Sequence, residues 1–210
     1  MCAQYQLHLD PEKLMQAIAD LKILLSPKEL ANSNWHLFPK YRAPILRKSD
    51  DQIQLECMEF GLVPSWDKEK KMRFHNARVE TIHEKPSFKK EFSKHHCLVP
   101  MSGFFEYIWS NEKENWLAKF LPKNEELLFA AGIYTTAGTF SVITMPPSKQ
   151  ILETGHDRSP LFLKQDSFIG WLENEGAESK DLIQFLRDSY FYPEWNVEKV
   201  PKKTKADSLL

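Results

Sequence analysis

Residues 97–145 read CLVPMSGFFEYIWSNEKENWLAKFLPKNEELLFAAGIYTTAGTFSVITM, a succession of apolar runs broken by short polar or glycine-containing links. Cys97–Pro100, Phe104–Trp109, Trp116–Leu121, Leu127–Tyr134 and Phe140–Met145 have the length and the β-branched and aromatic content of strands. Links such as Ser110–Glu114 and Ala137-Gly138 predict an antiparallel meander. Ile53–Phe60 extends the series upstream, and Tyr5–Leu9 alternates with period two almost at the start of the chain. Between them, Asp10 as N-cap, Pro11 at the first helical position, and Leu14, Ile18, Leu21 and Leu25 at helical spacing predict a core-facing helix. Residues 26–50, with Pro27, Pro39 and Pro44, read as loops around short strands. Two helices, about 166–174 after Asp166 and about 180–188 after Ser179, close the pattern. The fold class is α+β: one domain over 1–210, built on a curved, mainly antiparallel sheet with flanking helices, and ending in a mobile basic tail from about 198 that carries Lys202, Lys203 and Lys205.

With 210 residues, 42% hydrophobic and 27% charged, the chain is neither disordered nor fibrous. Its longest mainly apolar stretch falls far short of the ~18 residues of a membrane span. The N-terminus has no basic region followed by an apolar one, so a cytoplasmic location is expected. Cys2, Cys57 and Cys97 are too few for a disulfide framework and fit a reducing compartment. A net charge of −1 requires any anion site to be local, and with only six arginines Arg78 and Arg158 are the informative cations.

Four places could carry chemistry. Cys2 follows Met1, and loss of the initiator leaves a 1,2-aminothiol whose amine and thiol both titrate near neutrality. An amine condenses with an aldehyde to an imine, and the neighbouring thiol can close on the imine carbon as a thiazolidine. Glu106 sits in the apolar run Gly103–Trp109, where burial suits a general acid or base, or else a structural ion pair. His75-Asn-Ala-Arg-Val-Glu-Thr81 puts Asn76, Arg78 and Glu80 on one side of an extended segment, as a solvent-facing trio or as a site in which Arg78 grips a phosphate. His156-Asp-Arg-Ser-Pro160 is a second polar cluster whose histidine is either structural or a titrating group. No metal is expected, since His95-His96-Cys97 has neither a Cys-x-x-Cys nor a helical His-x-x-x-His partner. There is no phosphate-cradling glycine loop and no Gly-x-Ser-x-Gly elbow.

Taken in order, Met1-Cys2, Phe60-Gly-Leu-Val-Pro-Ser-Trp66, Asn76-Ala-Arg-Val-Glu-Thr81, Lys85-Pro-Ser-Phe88, Cys97-Leu-Val-Pro100, Gly103-Phe-Phe-Glu-Tyr107, Met145-Pro-Pro147 and His156-Asp-Arg-Ser-Pro160 resemble the SOS-response-associated peptidase family, proteins that crosslink to abasic sites in single-stranded DNA. The resemblance implies a compact, barrel-like β-rich domain with a basic groove. It implies Cys2 as nucleophile, Asn76 as the residue orienting it and the opened sugar, Glu106 as proton-transfer group and His156 as the aid to ring opening. It implies phosphate contacts from Arg78 and Arg158, and a channel edge at Trp66 and its loop, including Pro64, where a base would stack. Partners would be abasic single-stranded DNA alone, with no cofactor, no membrane and a monomeric, bacterial, nucleoid-associated protein. Where the family usually begins Met-Cys-Gly-Arg, this chain has Ala3 and Gln4, so Gln4 replaces a cation beside the DNA and weaker binding follows. Phe60 replaces a usual Trp and Ser159 a usual Met, changes expected to alter packing more than chemistry. The implied activity is covalent capture with self-removal of Met1 and a secondary lyase reaction. Its rivals are a thiol peptidase acting on proteins and a non-catalytic single-stranded-DNA binding module.

Overall fold

The computed structural model describes residues 4–8, 14, 23–24, 34–50, 52–108 and 116–200. In chain order the elements are β1 (Gln4–His8), β2 (Ile23–Leu24), β3 (Asn34–Leu37), β4 (Arg42–Ser49), β5 (Gln52–Phe60), β6 (Asn76–Arg78), α1 (Lys89–Lys94), β7 (His96–Met101), β8 (Gly103–Ile108), β9 (Trp116–Pro122), β10 (Leu128–Thr135) and β11 (Thr139–Met145). Then come α2 (Lys149–Leu152), β12 (Ser159–Pro160), β13 (Phe162–Leu163), α3 (Phe168–Glu173), α4 (Ser179–Ser189), β14 (Tyr190–Phe191) and β15 (Trp195–Val200).

Two sheets share the core. The smaller is antiparallel throughout, in the order β15-β9-β8-β1-β3. The larger runs β12-β11-β5-β4-β7-β10-β13-β14, with β2 on β5 and β6 on β11. Because β10 also pairs with β11, the path β11-β5-β4-β7-β10 returns on itself. β10 and β11 are buried along their whole length, which is why they read as unbroken apolar runs. In the smaller sheet Phe104 faces Phe120 across the β8–β9 pair, rings stacked at 4.6 Å, and Trp195 meets Phe104 edge-on at 5.1 Å.

The strands expected from 52 to 145 are present, but not as a single meander. The chain leaves the larger sheet after β7 and enters the smaller at β8, turning at Ser102, whose Oγ donates to the His8 carbonyl at 3.1 Å and accepts from the His8 N–H at 2.9 Å. Gly103 is required there, since a Cβ would stand 2.6 Å from the Phe120 carbonyl oxygen. The helix expected over 10–25 is described only at Leu14, and Ile23 and Leu24 pair in parallel with β5 instead of continuing it. Residues 42–49, expected to be irregular, form a full-length partner of β5. Pro44 is tolerated because β4 meets β7 only at Leu46 and Arg47, leaving the edge beside Pro44 without a ladder to break. α3 and α4 lie where expected, but neither is capped by its predicted side chain: Asp166 falls in a 3-10 turn and Ser179 is the first helical residue. Residues 198–200, assigned to a tail, belong to β15, where Val197 lies opposite Phe120 on β9; 201–210 lie outside the described residues, as do Trp109 and Ser110–Glu114. Among the described residues no helix is long and apolar enough to cross a membrane.

Two predictions follow from the packing. A Cβ on Gly132 would lie 2.8 Å from both the Cys97 sulfur and Val99 Cγ2, so Gly132→Ala should lower the denaturation midpoint by about 1–3 kcal/mol of stability with the slope unchanged. His96 is fully buried with Nε2 2.6 Å from the Phe92 carbonyl and Nδ1 2.9 Å from that of Trp171; burial pushes its pKa below 6.5 although both carbonyls pull the other way. Burial likewise lowers His75 and His95, helped by Arg73 in the first and by Lys90, Lys94 and Arg47 in the second. The unfolded chain therefore takes up protons near pH 6.5 that the folded chain refuses, and thermal stability should fall as pH drops through and below that value. A melting temperature constant between pH 7.5 and 5.5 would contradict this.

Candidate active site

Glu106 points to the core face of β8 with Phe104 and Ile108, as its alternation predicts, and is 4% exposed. The other face is less apolar than expected, since Tyr107 stands in solvent. His156 follows Gly155, whose φ of +92° makes the turn out of α2, and is 7% exposed. Fifty residues apart in the chain, the two meet: His156 Nε2 lies 3.2 Å from Glu106 Oε1. The contact is an ion-pair distance without hydrogen-bond geometry, and a carboxylate and an imidazole so withdrawn from water suit proton exchange with a group that approaches them.

The second polar cluster is organised by β11. Asn76 and Arg78 lie on β6, opposite Val142 and Thr144 on one edge of β11; Ser159 and Pro160 on β12 lie opposite Met145 and Thr144 on the other. Arg158 bridges the two motifs. Its guanidinium forks onto Glu80, Nη1 to Oε1 at 2.6 Å and Nη2 to Oε2 at 3.0 Å, and donates to the Thr144 carbonyl at 2.7 Å and to Thr144 Oγ1 at 3.3 Å. At 6% exposure Arg158 is turned inward as a clamp on Glu80 and Thr144, and Arg78 is the exposed member of the pair. Burial pushes the Glu80 carboxyl up, but its bonds with Arg158, its own backbone N–H and the charges of Arg158 and Arg78 outweigh this and hold it below the usual value. Asn76 is half-buried, next to His75, whose ring packs 5.6 Å from Phe60.

Trp66 and Pro64 stand on a separate loop, pinched at its base by two backbone bonds of 2.9 Å between Leu62 and Phe74. Asp67 accepts the Met72 N–H at 2.6 Å inside it, and Trp66 is exposed at its tip while Pro64 is buried. Gln4 begins β1 opposite Phe105, one residue from Glu106. Cys2 lies outside the described residues. Thr144 was not anticipated from sequence; the signal was a polar residue closing an apolar strand just before Met145-Pro-Pro147. Among the described residues no three of His, Cys, Asp and Glu gather as a metal site would need.

Residues 1–206 match the model of the SOS response associated peptidase (SRAP) family. The chain belongs to that family. Among curated SRAP relatives it is 26% identical to abasic site processing protein YoqW of Bacillus subtilis, covering 90% of this chain and 88% of that one, and 24% identical to YobE of the same organism, covering 100% and 99%. The SRAP fold is matched by the crystal structure of a Bacteroides thetaiotaomicron protein, with a TM-score of 0.73 at 23% identity over 95% of this chain and 92% of that one.

The clamp is testable. Glu80→Gln keeps the shape but removes the charge facing a buried guanidinium; because Glu80 is 43% exposed at its side chain, the expected loss is only about 1–2 kcal/mol. Since the folded pKa of Glu80 is lowered, the stability gap to wild type should be full above pH 4.5 and close as pH falls below it. Chemical denaturation at pH 7 and pH 3.5 checks both.

Proposed function

We propose that this chain processes abasic sites in single-stranded DNA by covalent capture at Cys2. The observation that carries the reading is the buried Glu106–His156 pair, 3.2 Å apart, beside the strand into which the N-terminus runs. Only Ala3 separates Cys2 from Gln4, and two positions reach at most about 7 Å. The names of the curated relatives as abasic site processing proteins point the same way.

Loss of Met1 frees the α-amine of Cys2. The amine attacks the C1′ aldehyde of the ring-opened sugar, and the carbinolamine loses water to give an imine; Glu106 takes the amine proton and returns it to the departing hydroxyl. The thiol then adds across the C=N bond, its proton passing to nitrogen, and closes a thiazolidine. Sealing matters because the imine alone hydrolyses, or eliminates the 3′ phosphate and breaks the strand; without the thiol that lyase route remains. His156 assists ring opening, Asn76 orients the nucleophile and sugar, Arg78 meets a phosphate, and Trp66 holds a neighbouring base with Pro64 shaping its loop. Gln4, in a position next to the site, offers hydrogen bonds in place of a cation. Arg158 acts by holding the His156 segment against β11.

A denaturing gel of the Met1-free protein with an abasic single-stranded oligonucleotide tests this. A heat-stable shifted band is expected with the damaged strand alone, absent in Cys2→Ser and formed at least about 100-fold more slowly in Glu106→Gln. A stable adduct from Cys2→Ser would overturn the thiazolidine. No band from wild type would overturn capture and favour a thiol peptidase or a simple DNA-binding module.

A further inference from the structure

An aromatic ladder runs across the outer face of the smaller sheet and away from the site. Phe105 on β8 stacks on His36 of β3 at 4.3 Å and 26°, His36 lies 4.4 Å from Phe38, and Phe38 meets Tyr41 edge-on at 5.6 Å. It starts one residue from Glu106, opposite Gln4, and ends on a tyrosine that is 54% exposed. Its inner end is packed, with Phe105 buried and Phe38 half-buried, but His36 and Tyr41 are exposed, which core packing does not require.

The end of the ladder is a rigid turn. Tyr41 N–H donates to the Phe38 carbonyl at 3.0 Å, with Pro39 second and Lys40 third, and both flanks are pinned to Phe60: Lys40 N to its carbonyl at 2.7 Å, and its N–H to the Tyr41 carbonyl at 2.8 Å. Lys40 takes φ +74°, the position where such a turn wants glycine. A lysine held against its preference at a turn tip presents a cation where folding alone would not put one. Exposed Arg42 follows, and Lys119 lies opposite Phe105 on β9. Glu59, opposite Arg42, is held by Arg73; Arg42 itself donates to the Cys57 carbonyl and Lys119 lies 4.0 Å from Glu198, so Lys40 is the main cation of the track.

We propose that His36, Phe38 and Tyr41, backed by buried Phe105 and edged by Lys40, Arg42 and Lys119, form a stacking track for unpaired bases of the strand that leaves the captured sugar. This rests on the single-stranded-DNA reading above. Aromatic faces take any base, and the cations follow the phosphates, so the track adds affinity without sequence preference. It offsets locally the cation missing at Gln4.

Fluorescence anisotropy with an undamaged single-stranded oligonucleotide at several salt concentrations, beside gel assays with the abasic one, tests it. Tyr41→Ala should weaken binding by about 5- to 100-fold. Lys40→Gly should melt at or above wild type, yet bind more weakly and with a salt slope shallower by about 0.7. Duplex binding should be unaffected. Unchanged single-strand affinity in both variants, or no binding by wild type, overturns the track. If the variants weaken binding but wild type forms no adduct, capture fails and the track stands; if adducts form and the variants bind normally, the reverse holds.

Discussion

Strand β11 has two edges, and each is divided. Near its start Thr139, Phe140, Ser141 and Val142 pair with β10 on one side, while Thr139 and Phe140 pair with β5 on the other, closing the strand path around the core. Beyond this the same backbone turns to different partners: Val142 N–H donates to the His75 carbonyl, Thr144 O accepts from Val79 N–H, and Ile143 O accepts from Leu161 N–H, each at 2.9 Å. A buried strand must satisfy every N–H and C=O. The stretches that satisfy the end of β11 are the two polar motifs, so their separation is set by the width of three strands rather than by loops. Site and core are consecutive segments of one ladder.

The fold buries charge in two ways, with different consequences. Arg158 is matched by a bidentate acceptor and a carbonyl, which makes it a fixed strut. Glu106 has an imidazole beside it, a partner that can itself gain or lose a proton. An isolated buried carboxylate carries a desolvation penalty, and an arginine partner would remove that penalty by locking the charge in place. With His156 in that place instead, the charge is not locked, which is what the capture we propose requires. The strut lies two residues from His156, so a fixed side chain stiffens the segment that carries the imidazole.

Much of this was legible in the residues. Period and composition located β5 and β7 to β11, though not the short β6, and a lone carboxylate among Phe, Tyr and Ile marked Glu106. What was not legible was long-range. Nothing in the spacing of Glu106 and His156, fifty positions apart, says that they touch; that follows from the route through β8, β11 and α2. Arg158 and Arg78 look equivalent in sequence, and only the presence of Glu80 and Thr144 on the inner side separates strut from exposed cation. β4 was obscured by Pro44, which breaks a strand only where a ladder needs its N–H, and β15 by lysine and glutamate facing solvent on an edge. Ile23 and Leu24 fall inside the run whose Leu14, Ile18, Leu21 and Leu25 read as a helix face, and only pairing to β5 shows them as a strand.

With a net charge of −1, the chain has little long-range attraction for a polyanion, and its affinity for intact DNA must come from contacts within a Debye length. On the covalent capture we propose, this is consistent rather than defective. Equilibrium affinity would limit how long an undamaged strand is held, whereas a damaged one would be retained by covalent chemistry whatever the salt. Weak, sequence-blind contacts through aromatic faces and a few exposed cations would then suffice to keep a strand sampling the site. The step at Glu106 and His156 would discriminate by reactivity, since an intact nucleotide offers the amine no aldehyde. Selectivity would thereby be carried by the step that cannot be undone by dissociation.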